Sequence, residues 1–207
     1  MIEPKIQKVL NSLEEKIEYE KVHEYDIPLD DTLLAIGKES GLFLNTLLKS
    51  QDVKKILEIG TSFGYSTLWF ADVIGDTGKI ITIEANEKKI VHATENFTKA
   101  GVSDRIKIIK GQALDVLSDN QYNEEKFDFV FIDADKENII KYFNWGFSHL
   151  RPKGIVVIDN MLYPEKFKPY MSKLHTHIQK TPNAQTSTCP IGNGLEITLK
   201  LRITSQK

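Results

Sequence analysis

From residue 54 to residue 160 the chain repeats one unit, a short run rich in Ile, Val or Phe followed by a longer amphipathic stretch. The short runs are Lys55–Ile59, Ile80–Glu84, Ile106–Lys110, Phe127–Asp133 and Gly154–Asp159. Brevity and near-continuous apolarity are what strands buried on both faces require. Between and after them the 3.6-residue pattern predicts helices over Ser66–Ile74, Glu87–Ala100, Ile139–Leu150 and Pro164–Gln179. Asn86 stands where an N-cap belongs, and Gly101 where a C-cap glycine belongs. Strands and helices alternating at this spacing close their apolar faces as a parallel sheet between two helical layers, an α/β fold.

The flanks are less regular. Arg151-Pro152-Lys153-Gly154 reads as a helix-to-strand turn. Leu195–Arg202 alternates apolar and polar residues, as an edge or antiparallel strand does. The first 50 residues read as helices beside the sheet, Thr32–Lys49 among them. No linker or repeat interrupts the chain, so one domain is expected over 1–207: a helical extension (1–50), a ligand-binding core (54–160) and a substrate-side segment (161–207).

Charge and cysteine content narrow the function. A net charge of -2 argues against a generic nucleic-acid binder. The lone Cys189 excludes an intramolecular disulfide framework and a cysteine-cage zinc site. No apolar run is long enough for a membrane helix and no signal-type segment opens the chain, so a cytoplasmic protein is expected. Residues 161–207 nevertheless hold seven basic against two acidic side chains. Such a surface attracts an anionic substrate or an RNA backbone, or is simply solvated.

In an open parallel sheet, ligands bind beyond the carboxyl ends of the strands where the strand order reverses. After the first strand comes Glu58-Ile59-Gly60-Thr61-Ser62-Phe63-Gly64-Tyr65-Ser66. Ser62 stands where a dinucleotide fingerprint needs its second glycine, and no P-loop occurs, which disfavours NAD and ATP. Glu84 closes the second strand and can accept from both hydroxyls of a ribose. That pairing suits a nucleoside without a pyrophosphate, of which S-adenosylmethionine is the common one. Glu58, inside the turn, is expected to brace the loop by accepting backbone N–H bonds. Asp133, Asp159 and Asn160 end the fourth and fifth strands and offer three hard oxygens at one point. They suit Mg²⁺, or Mn²⁺ or Ca²⁺, although strand-end Asp and Asn also cap turns.

LEIGTSFGYSTLWFA, ITIEAN, FDFVFIDADK and GIVVIDN, in that order and spacing, resemble the cation-dependent class I O-methyltransferases, which include catechol and caffeoyl-CoA O-methyltransferases. The resemblance covers about Leu29 to Asn160, and PIGNGLEITLK is similar to a closing family motif. It implies a Rossmann-like, mostly parallel seven-stranded sheet of order 3-2-1-4-5-7-6 with extra N-terminal helices. It further implies that Glu58, Gly60, Ser62, Gly64 and Ser66 line the methionine end of S-adenosylmethionine. Glu84 would hold the ribose and Ala113 would meet the adenine through its backbone. Asp133, Asp159 and Asn160 would bind the divalent cation, with Asp133 also facing the cofactor and Lys136 acting as base. The implied acceptor is a small hydroxylated aromatic, with a hydroxylated uridine of tRNA as alternative, and the implied assembly is a homodimer.

Asn193 departs from this pattern, since the closing motif usually carries an aspartate there. Tyr163, Phe167 and Tyr170 have the spacing of a buried helix face, or of a platform for an aromatic ring. His175 and His177 read as solvated rather than metal-binding. A non-catalytic cofactor-binding protein is the remaining reading, and the intact Asp133, Lys136, Asp159 and Asn160 weigh against it.

Overall fold

A computed structural model describes residues 2–23, 27–119, 122 and 124–202. Its strands are β1 (Lys55–Ile59), β2 (Lys79–Glu84), β3 (Ile106–Lys110), β4 (Phe127–Ile132), β5 (Leu150–Ile158), β6 (Ala184–Cys189) and β7 (Leu195–Lys200). Its α-helices are α1 (Pro4–Val22), α2 (Lys38–Lys49), α3 (Tyr65–Ile74), α4 (Glu87–Ala100), α5 (Ala113–Leu117), α6 (Ile139–Ser148) and α7 (Lys168–Gln179). The sheet runs β3-β2-β1-β4-β5-β7-β6, parallel from β3 to β5, with β7 antiparallel to both β5 and β6.

The period-2 geometry of β4 shows why its sequence is apolar from Phe129 to Ile132. Phe129 and Phe131 face one layer, each 5.3 Å from the ring of Phe70 on α3, among buried residues of α1 to α4. Val130 and Ile132 face the other, among Phe143 of α6 and Met171, Leu174 and Ile178 of α7. Each such side chain contributes roughly 1.5–3 kcal/mol by leaving water, so the register cannot slip by one residue without loss on both faces. Asn86 accepts from the N–H groups of Lys88 and Lys89, and Gly101 closes α4 in the left-handed conformation.

Three expectations are corrected. The Arg151–Gly154 turn lies inside β5, as a bulge. Phe127 pairs with Leu150 and Phe129 with Ile155, and Lys153 takes φ 71° to absorb the extra residues. The helix expected from Thr32 begins only at Lys38. Leu33 instead satisfies its backbone with side chains, its N–H donating to Glu20 (3.0 and 3.2 Å) and its carbonyl accepting from Ser62 Oγ. Residues 33–36 therefore form a strap across the ends of the central strands. Finally, α7 buries Met171, Leu174 and Ile178, while Tyr163 and Tyr170 stay exposed.

The strand order reverses between β1 and β4. The candidate ligand loops after β1, β2, β4 and β5 leave the sheet at that end. No helix of the described residues is long and apolar enough to cross a membrane.

Candidate functional site

A cavity of about 670 Å³ opens beyond the carboxyl ends of β1, β2, β4 and β5. Its first wall is the turn between β1 and α3. Gly60 has φ +100°, and a Cβ there would lie 2.1 Å from the carbonyl oxygen of Asp133. Gly64 has φ +83°, and a Cβ there would lie 2.4 Å from Phe97. Glycine at both positions lets the turn lie flat against β4 and α4. Gly60, Ser62 and Ser66 line the cavity. Gly64 lies beneath the turn, against Phe97.

Glu58 is fully buried under the same turn, accepting from Ser66 Oγ (2.6 Å), Thr82 Oγ1 (2.6 Å) and Thr67 Oγ1. It braces the loop through hydroxyls, not through the backbone N–H groups anticipated from the sequence. Burial pushes its pKa up to about 7, against the pull of the three hydroxyls, and the charge of Asp133 adds to the rise.

Glu84 is held more completely. One carboxylate oxygen accepts from the N–H of Ser62 (2.8 Å), and the other from those of Ala85 (3.0 Å) and Asn86 (2.9 Å). The carboxylate is thereby locked in one orientation at the cavity wall, with lone pairs left for a ligand's hydroxyls. Gly111, Gln112 and Ala113 continue this wall at the start of α5.

The opposite wall is built differently. Ile132 of β4 pairs with Ile158 of β5, so the next residues, Asp133 and Asp159, emerge side by side. Asp159 is 2% exposed, and its Oδ1 has no hydrogen-bond partner among the described residues. Burial, and then the charge of Asp133, hold its carboxyl well above the usual range; the Asn160 N–H and Lys136 pull the other way. Asn160 follows at φ +67°, on the same cavity wall. Lys136 is 6% exposed, donates to Asp133 Oδ1 at 3.0 Å and lies 5.6 Å from the ring centre of Phe167.

A buried carboxylate with an oxygen unpartnered among the described residues, a half-buried carboxylate beside it and an amide next to them fit a hard dication. Among the described residues no group of three or more His, Cys, Asp or Glu could hold a metal, so the amide of Asn160 is needed to complete a three-ligand set.

Of the cavity's other neighbours, Phe167 and Asn193 stand out in the sequence, whereas Tyr142 escapes a sequence reading. Phe167 walls the cavity beside Lys136. The buried Tyr142 also lines it and donates its hydroxyl to Asp135, which accepts from Asn138 N and Nδ2 as well. Asn193 lines the rim, and its carbonyl receives the N–H groups of Leu162 and Tyr163. His175 contacts Glu196 (2.9 Å) and His177 contacts Asn144 (2.6 Å), so the two rings are engaged by different partners.

The chain matches the model of a family described as O-methyltransferase over residues 9–203. It is 38% identical to catechol O-methyltransferase of Mycobacterium tuberculosis over 62% of this chain and 58% of that protein, less than two thirds of the relative's length. It is 32% identical to caffeoyl-CoA O-methyltransferase 5 of Nicotiana tabacum, over 83% of this chain and 78% of that one. Among solved structures, the O-methyltransferase from Bacillus cereus in complex with SAH superposes with a TM-score of 0.77 at 29% identity, covering 92% of this chain and 90% of that one.

Proposed function

Because this chain belongs to the O-methyltransferase family, we propose that it transfers a methyl group from S-adenosylmethionine to an oxygen of a small, catechol-type hydroxylated aromatic. We propose further that a divalent cation, Mg²⁺ first, assists. The observation that carries the reading is the contrast in the cavity wall. Glu84 is held by three N–H donors, whereas Asp159 beside Asp133 keeps an oxygen with no donor among the described residues.

In this reading Gly60, Ser62 and Ser66 cradle the methionine portion, Glu58 and Gly64 fix the turn from below, Glu84 accepts from the ribose, and Ala113 presents its backbone to the adenine. Asp133, Asp159 and Asn160 hold the cation. Bound there, a dication lowers the pKa of a chelated hydroxyl, which for a free phenol lies near ~10. As the neutral amine, Lys136 takes the proton from the acceptor oxygen and becomes the ammonium, and its hydrogen bond to Asp133 Oδ1 keeps its Nζ at the cation side of the cavity. Phe167 and the strap at 33–36 offer apolar walls for a ring and keep water from the reacting oxygen.

Methyl transfer should be assayed over a panel of catechols and phenolic thioesters, with and without chelator. Turnover of catechols that stops on chelation and returns with Mg²⁺ is the expected result. Turnover indifferent to chelator would remove the cation from the reading. The tRNA alternative is not carried forward. None of the relatives named above is described as acting on RNA. One cation of the basic carboxyl-terminal quarter, Lys200, is turned inward onto the carbonyls of Phe147, Ser148 and Leu150.

A further inference from the structure

Three lysines surround the start of α4, and they are not equivalent. Lys88 pairs with Asp31 at 3.0 Å and Lys110 with Glu87 at 2.8 Å, both as exposed surface pairs. Lys89 is only 8% exposed, yet it makes no ion pair or side-chain hydrogen bond with any described residue. Its side chain lines the cavity on the same wall as Glu84 and Ala85. The usual account of a buried lysine stem is that the ammonium reaches open water. Here the residue is more than nine-tenths covered and is one of those that line the cavity. An ammonium that lines the cavity with no partner among the described residues marks a place where a ligand atom can complete the set.

We propose that Lys89 is a cofactor-binding residue that donates a hydrogen bond to the ribose hydroxyl oxygens, an inference that rests on the S-adenosylmethionine reading above. The chemistry selects the group. Glu84 is fixed by three N–H donors and can only accept from a ligand; Lys89 can only donate. They share a wall without pairing to each other. A group that satisfies both must give protons to the carboxylate and offer lone pairs to the ammonium. A vicinal diol does both on adjacent oxygens, and it is the group that the reading above already sets against Glu84.

The test is a binding cycle by isothermal titration calorimetry, with S-adenosylhomocysteine and its 2′,3′-dideoxy analogue titrated into the wild type and Lys89→Met. Lys89→Met should weaken S-adenosylhomocysteine roughly tenfold and leave the dideoxy analogue unaffected, because the missing interaction needs the hydroxyls. In turnover, the KM for the cofactor should rise while that for the acceptor stays put. An equal loss for both ligands, or no loss for either, overturns the assignment. Should Lys89→Met fail to fold, Lys89→Gln, with a shorter neutral donor, carries the same cycle and should show a smaller loss confined to the hydroxylated ligand. A wild-type protein that binds neither ligand overturns the cofactor reading and this inference with it. Binding with a flat cycle overturns this inference alone.

Discussion

The two walls of the cavity are made of the same material, carboxylates at the tips of parallel strands, and they are in opposite electrostatic states. On the β1–β2 side, Glu58 and Glu84 receive three donors each, from hydroxyls and from backbone N–H groups. On the β4–β5 side, Asp133 and Asp159 lie side by side with one buried ammonium bonded to Asp133 and one Asp159 oxygen without a donor among the described residues. The first wall is complete by itself, which is what a preorganised surface for a neutral diol requires. The second is incomplete by itself, and the dication proposed above would complete it. A strand-tip aspartate is therefore informative through what it lacks.

The contrast is most severely tested by Asp159→Asn. The amide is isosteric, and the oxygen it replaces makes no hydrogen bond in the described structure, so the fold should persist. The hard ligand is lost, and kcat/KM should fall on the order of 10³-fold, equivalent to about 4 kcal/mol. Mg²⁺ should raise the melting temperature of the wild type and not that of the variant, read by differential scanning fluorimetry. A variant that keeps both activity and the Mg²⁺ shift would leave the second wall without a purpose.

The first wall is complete but not free of strain, and Glu58→Gln exposes that. With the carboxyl of Glu58 held up to about 7 by burial, the folded protein keeps a proton there that the unfolded chain releases near its ordinary value of ~4.3. Its contribution is fully present below that value and is lost as pH rises through about 7. Removing the ionisable group should make the variant gain on the wild type by about 3 kcal/mol between pH 4.5 and pH 7. Urea unfolding of both proteins across that range measures the difference. A constant gap would mean that the three hydroxyls fully offset the burial.

Glu84→Gln probes completeness from the cavity side. The amide can accept through one oxygen only, and its NH₂ is set against at least one of the N–H donors of Ser62, Ala85 and Asn86. S-adenosylhomocysteine should bind roughly 30-fold more weakly, about 2 kcal/mol, with Mg²⁺ affinity unchanged. A loss of Mg²⁺ affinity as well would show that the two walls are coupled, and the comparison would need to be redrawn as one network.

How much of this was legible beforehand follows from the physics of each element. The core strands declare themselves because burial on both faces leaves a continuous apolar run, as in FVFI of β4, and the strand tips follow at once. Edge strand β6, AQTSTC, is hidden because its stabilising contacts are polar: Thr186 and Thr188 donate to the buried Glu196 of β7. The strap at Leu33–Ile36 mimics a helix start, since its apolar residues are indeed buried, but its backbone is satisfied by Glu20 and Ser62 from distant parts of the chain. Lys89 is one of a Lys-Lys pair, and nothing local says that its neighbour, not it, reaches Asp31. Long-range side-chain-to-backbone bonds and the partner of a given charge are set by tertiary geometry, which a one-dimensional period does not carry.

The loop from Asp133 to Asn138 is the seam between the walls, and Tyr142→Phe asks to which of them it belongs. Gly60 of the first wall lies against the Asp133 carbonyl, while Asp133 and Lys136 serve the second. Asp135 fixes the loop with three donors, Asn138 N, Asn138 Nδ2 and the Tyr142 hydroxyl, whose ionisation is suppressed by burial and by the adjacent carboxylate. Deleting the hydroxyl leaves two donors and an almost unchanged ring, so stability should fall by only about 1 kcal/mol. The functional consequence should be lopsided. A loop loosened at Asp135 lets Lys136 wander from its place beside Asp133 and Phe167, whereas Gly60 stays pinned by its N–H bond to the Ile83 carbonyl at 3.0 Å. Turnover should drop a few-fold while S-adenosylhomocysteine affinity, measured by calorimetry, holds. Equal losses in both would place the seam with the cofactor wall, and the asymmetry between the two halves would then stop at Asp159 rather than at Asp133.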